Sequence, residues 1–170
     1  MPSHLHVPVC LIALLAGTAS AADPPKVLFF TNPMTSDNDV IRRPSQEALS
    51  TAERHFASLS EGIFAVTFTQ SGKDIARERL AGYRAVVFFT ALNPPGVDLE
   101  ALTAWVAGGG AFAGIHSNAN SFQRHAGFGQ MLGAAFDRRP WRTPQALRTK
   151  VIIRVNDPAH PATRALPSSF

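Results

Sequence analysis

Two apolar rhythms alternate along the chain. Lys26 to Thr31 (KVLFFT) is an unbroken apolar run after Pro24-Pro25, the pattern of a parallel strand buried on both faces. A polar loop, Asn32 to Arg43, follows it. Pro44 suits the first turn of a helix, and Ala48, Leu49, Ala52, Phe56 and Leu59 recur at helical spacing until Gly62. Phe64 to Thr69 predicts a second strand, Ile75 to Leu80 a short helix, and Ala85 to Thr90 (AVVFFT) a third strand. After the loop Asn93-Pro94-Pro95-Gly96, the residues Leu99, Leu102, Trp105 and Val106 mark a helix closed by Gly108. Ala111 to Ile115 is a fourth strand and Leu147 to Val155 a fifth. Strands alternating with helices predict an α/β fold, a doubly wound parallel sheet. No internal repeat interrupts it.

In such a sheet, ligands bind beyond the carboxyl ends of the strands, near the point where strand order reverses. Three loops meet that condition: Asn32 to Arg43, Ala91 to Gly96, and His116 to Phe122. They bring Asn32, Asp37, Asp39, Asn93, His116, Ser117, Asn118 and Asn120 to one rim. Its weak charge and many hydrogen-bonding groups suit polyhydroxylated ligands better than phosphates. The segment GGGAFAGIHSNANSF, Gly108 to Phe122, stops a strand abruptly at His116. Such strand-to-helix corners hold reactive side chains out over the sheet, here an imidazole at the tip of an expected inner strand. Imidazole titrates near neutrality, so His116 is the candidate catalytic acid or base; the plainer reading is a side chain that shapes the turn. Ser117 lacks a G-x-S-x-G setting and reads as a ligand-binding or helix-capping hydroxyl. Asn118 and Asn120 divide between sugar hydrogen bonding and turn chemistry.

Residues 1–21 read as an export signal: an apolar run from Val7 to Ala16, then Ala19-Ser20-Ala21 as a cleavage site, although the leading segment has no Lys or Arg. The run is too short to span a bilayer, and no later segment qualifies. This predicts a periplasmic or secreted protein with one domain over residues 22–170. Cys10, the one cysteine, lies inside that segment. The mature chain therefore offers no disulfide, no Cys-ligated metal and no thiol nucleophile. The net charge of +4 is uneven, with nine Lys/Arg against ten Asp/Glu in residues 1–136 and seven against two in 137–170. Arg138, Arg139 and Arg142 cluster beside Trp141, but single-strand binders need several aromatics along a basic groove, so a solvated loop is expected rather than a nucleic-acid site.

Three segments in order carry a resemblance: GGGAFAGIHS around the corner, GQMLGAAFD (Gly129 to Asp137) running into Pro140-Trp141, and VNDPAHPATRALP (Val155 to Pro167). Together they resemble the trehalose-utilisation ThuA-like family, a branch of the class I glutamine amidotransferase-like fold. The resemblance implies a flavodoxin-like domain, C-terminally incomplete, in which a His replaces the amidotransferase cysteine. It also implies a role in metabolism of trehalose-like or keto-disaccharide sugars. His116 and Ser117 match the family corner; Asp157 and His160 match its D-x-x-H-P motif. Three positions where the family commonly carries a proton carrier differ. The loop after the first strand has no His, Asn120 stands for an acidic residue, and Arg139 for a His.

Two readings follow. One is an exported carbohydrate-processing enzyme, not a glutamine amidotransferase, with His116 as acid/base and Asn32, Asn93, Ser117, Asn118, Asn120, Trp141 and His160 as substrate contacts. The other is a catalytically inactive sugar-binding or interaction module. In either, the expected partner is a small-molecule carbohydrate, with no cofactor. No metal is expected, because D-P-x-H-P is more simply a turn and no H-x-x-x-H spacing occurs. An incomplete sheet leaves an unpaired edge, which predicts marginal stability or a homo-oligomer.

Overall fold

A computed structural model describes residues 23–34, 38–136 and 152–170. The expected export signal, Asp37, Arg139, Trp141 and residues 147–151 of the expected fifth strand lie outside the described residues. The chain divides after Ala135 into two compact units.

In the first unit, β1 (Lys26–Thr31), β2 (Ala65–Thr69), β3 (Ala85–Phe89) and β4 (Ala111–Ile115) pair in the order β2-β1-β3-β4, every pair parallel. Helices α1 (Thr51–Ser60), α2 (Arg77–Leu80), α3 (Leu99–Ala107) and α4 (Ala126–Leu132) complete the unit. The continuous apolar runs are explained by the pleat. On one face Val27, Phe29 and Val87 are buried with Phe56 of α1 packed against them. On the other, Leu28, Phe30, Val86 and Phe88 meet Leu80 of α2, Leu102 of α3 and Phe128 of α4. Successive residues point to opposite faces, so a doubly covered strand is apolar at every position.

Two expectations change. First, β4 is a border strand among the described residues, with β3 between it and β1, rather than an inner strand. Of the expected fifth strand, the described residues 152–155 do not extend this sheet. They belong to the second unit, where Arg154 bridges Ser169 in antiparallel fashion and Ile153 and Phe170 exchange N–H to carbonyl bonds of 2.8 and 3.0 Å. Second, α1 begins at Thr51, not Pro44. Ser50 accepts a hydrogen bond from the Glu53 N–H while the Glu53 carboxylate accepts one from the Ser50 N–H, a reciprocal capping box that outweighs the preference of proline for a first turn.

That cap has a second task. The Glu53 side chain is completely buried, and Arg43 grips it with Nε donating at 2.8 Å and Nη2 at 2.8 Å. Thr31 donates to the same carboxylate at 3.4 Å, and Gln70 donates to Thr31 and to the Ile41 carbonyl. The loop after β1 is thereby tied to α1 and to the end of β2. Burial pushes the Glu53 carboxyl up, but the Arg43 hydrogen bonds and charge and the Ser50 bonds together outweigh it. They hold the group below the usual carboxylate range.

A carboxyl with a lowered folded value binds fewer protons folded than unfolded. Its stabilisation is complete above the unfolded value and fades as pH falls through the folded one. Urea titrations from neutral to acid pH should show this loss in the native chain and a flatter profile in Glu53→Gln. Arg43→Met, which strands a buried carboxylate, should cost about 3 kcal/mol at neutral pH. An unchanged urea midpoint would refute the role of the pair.

Candidate functional site

The order reverses between β1 and β3, so the carboxyl ends of these strands, with β4 beside them, define the rim. Its base is sealed: Thr31, Asn32, Thr90 and Ala91 are all buried. Above it the chain turns sharply four times without glycine, with positive φ at Thr90 (52°), Asn93 (44°), His116 (66°) and Phe122 (50°). A non-glycine residue held this way costs about 1–3 kcal/mol, and such strain gathers where a fold must present a side chain in one orientation.

His116, at φ 66° and ψ −113°, is exposed. Its Nδ1 lies 3.0 Å from Ser117 Oγ and 3.4 Å from Thr90 Oγ1. No carboxylate or second histidine bonds its ring among the described residues, and these hold no cluster of three His, Cys, Asp or Glu suited to a metal. The close packing under the corner explains Gly114. A Cβ there would stand 2.9 Å from the Asn118 Cβ and 3.2 Å from Leu132 Cδ1.

The expected ligand residues separate into three groups. Asn118 is 1 % exposed and structural: its amide donates to the carbonyls of Phe88 (2.9 Å) and Ile115 (2.7 Å), clamping the ends of β3 and β4. Asn32 is likewise buried, its Oδ1 accepting from the Met34 N–H. Asn93, Ser117 and Asn120 stay at the surface of the rim. Asn93 Oδ1 accepts from the Phe122 N–H at 2.6 Å, and Ser121 Oγ donates to the Ala91 carbonyl at 2.7 Å, so the loops after β3 and β4 are fastened to each other. His160 lies in the second unit. There Asp157 Oδ1 accepts from the N–H groups of Ala159 and His160, and His160 Nδ1 accepts from Ala162, the turn that D-P-x-H-P suggested.

Sequence reasoning missed a groove. It has a volume of about 560 Å³ and is lined by Asn93, Leu99, Asn120, Phe122, Gln123, Arg124 and His125. The 3-10 turn Ser117–Asn120 runs from His116 into its wall, though His116 itself is not part of the lining. His125 caps α4: its Nδ1 accepts from the Phe128 N–H, and its Nε2 lies 3.0 Å from Glu100 Oε1. The signal available was H-x-x-F before a short apolar stretch, a pattern in which histidine substitutes for the usual capping residues.

The backbone at residue 116 permits a direct test of strain. Glycine tolerates this φ whereas alanine does not. His116→Gly should therefore be more stable than His116→Ala by about 1 kcal/mol in urea denaturation, after the greater unfolded-state entropy of glycine is subtracted. Equal stabilities would show that the corner is unstrained.

Comparison with known proteins places this geometry. A crystal structure described as that of a ThuA-like protein from Bacteroides uniformis superposes with a TM-score of 0.65 at 23% identity, covering 90% of this chain and 60% of that one. This chain therefore spans about 60% of the length of that neighbour, and the likeness establishes the flavodoxin-like α/β fold. Among curated proteins, none matches the chain. The model of the ThuA family, described as trehalose utilisation, matches residues 26–170, and the chain belongs to that family.

Proposed function

We propose that the chain is a carbohydrate-recognising domain whose ligand lies along the rim formed by the loops after β3 and β4. One observation carries the reading: four strained non-glycine residues, two of them asparagine and histidine, converge on a mostly uncharged rim beside a groove lined by amides and an aromatic ring. Amides supply both donors and acceptors, as sugar hydroxyls require, and a ring edge or face covers the apolar side of a sugar. The family description, trehalose utilisation, points to the same ligand class.

Within this reading His116 meets the ligand at the head of the groove wall. Flanked by the hydroxyls of Thr90 and Ser117, its Nδ1 is either donor or acceptor, and Nε2 of the neutral ring takes the complementary state toward a ligand hydroxyl. The reading extends to export to the periplasm or medium, supported by the sequence of residues 1–21 alone.

Binding and turnover of trehalose and of its keto derivative by the native chain and His116→Ala separate recognition from catalysis. Recognition predicts saturable binding weakened several-fold in the variant. If His116 also transfers a proton, turnover falls by about 100-fold or more while binding changes little. Absence of saturable binding to either sugar would reject the proposal.

A further inference from the structure

The groove contains a charge that a neutral sugar would not use. Arg124 lines it, is exposed, and has no carboxylate within ion-pair distance among the described residues. Glu100 is paired with His125 Nε2 at 3.0 Å, and His125 shares the groove lining with Arg124. We infer that the groove selects a carboxylated sugar, with the Arg124 guanidinium binding the carboxylate. This inference rests on the carbohydrate reading above and narrows it to a ligand class.

The surrounding residues are arranged for such a ligand. Phe122 and Leu99 provide apolar surface for one side of a pyranose ring. Phe122 is braced from behind by Phe128, with ring centroids 5.1 Å apart at 73°, and its backbone is fixed at positive φ by Asn93 Oδ1. Gln123 donates to Asn120 Oδ1 at 3.1 Å, which orients the Asn120 amide so that its NH2 group is left for hydroxyls. A groove of about 560 Å³ lies in the size range of small-ligand sites. Arginine at its edge adds a planar fork that matches a carboxylate in two parallel bonds, a geometry that neither a hydroxyl nor the amides can reproduce. Position 124 also follows directly on the braced segment 121–123. The fork therefore projects from anchored backbone, which lowers the entropy lost when it binds.

The test uses two probes that differ in one group: trehalose, and trehalose oxidised at one C6 to the uronate. Isothermal titration of the full chain should show the uronate bound about tenfold tighter, the worth of one charge-assisted pair. Arg124→Met should erase that preference while leaving trehalose affinity within about twofold, and added salt should weaken only the uronate. Glu100→Gln, which removes the negative charge held by the groove residue His125, should tighten the uronate further. Equal affinities for the two probes, or a preference that survives in Arg124→Met, would overturn the inference and leave the carbohydrate reading in place. Failure of both probes to bind would overturn the two together.

Discussion

The loops that form the rim are held by side chains that bond backbone carbonyls, and the site depends on those bonds. Strand ends leave carbonyls pointing toward solvent, and a turn at positive φ cannot satisfy them through regular structure. Asn118 does so for Phe88 and Ile115 at once, Ser121 for Ala91, and Asn93 returns an acceptor to the Phe122 N–H. Each bond is worth only about 1 kcal/mol net, but breaking one buries an unpaired carbonyl at a larger cost. The strain at His116 persists because these bonds over-determine its neighbours. The turn is thus supported from residues 118 and 121 rather than by the imidazole it presents.

How much of this was legible in the sequence follows from the physics of each element. The central strands β1 and β3 were readable because burial on two faces favours an unbroken apolar run, as in KVLFFT and AVVFFT. The start of α1 was not, since a proline at 44 and apolar spacing back to Ala48 mimic an earlier turn. Only the pairing of Ser50 with Glu53 decides the matter, and that pairing matters chiefly because Arg43 reaches back to the buried carboxylate. The division of the loop asparagines between buried and exposed positions was not legible. Composition reports that Asn32, Asn93, Asn118 and Asn120 lie on loops; which amides are spent on backbone depends on packing depth. Asn118 sits under the corner against Gly114, a contact that sequence spacing does not encode.

Strand order carries a further consequence. With β4 at the border of the described sheet, the corner at His116 is reached from the switch point only across β3. The coupling between these strands is therefore unusually important to the site. It consists of the parallel ladder from Ala85 with Ala111 to Phe89 with Ile115, the Thr90 N–H bonded to the Ile115 carbonyl, and the Asn118 clamp. Beneath it, Phe88, Phe112 and Phe128 meet edge to face, with centroids 5.2 and 5.9 Å apart. Aromatic pairs of this kind add directional packing to area burial, so the two strand ends keep a fixed separation.

The two histidines of this region show how environment divides one side chain between architecture and chemistry. A backbone N–H can only donate, so the Nδ1 of His125, which accepts from Phe128, must carry a lone pair. The proton of the neutral ring then sits on Nε2, facing Glu100. Both nitrogens are committed, and His125 acts as a helix cap that also keeps Glu100 occupied. The neighbours of His116 are hydroxyls, which donate or accept as required. Its tautomer is free to follow whatever meets Nε2. A ring that can present either a donor or an acceptor suits a ligand whose hydroxyls do the same. The strained backbone fixes where that ring stands, while the hydroxyl pair leaves open which hydrogen bond it makes.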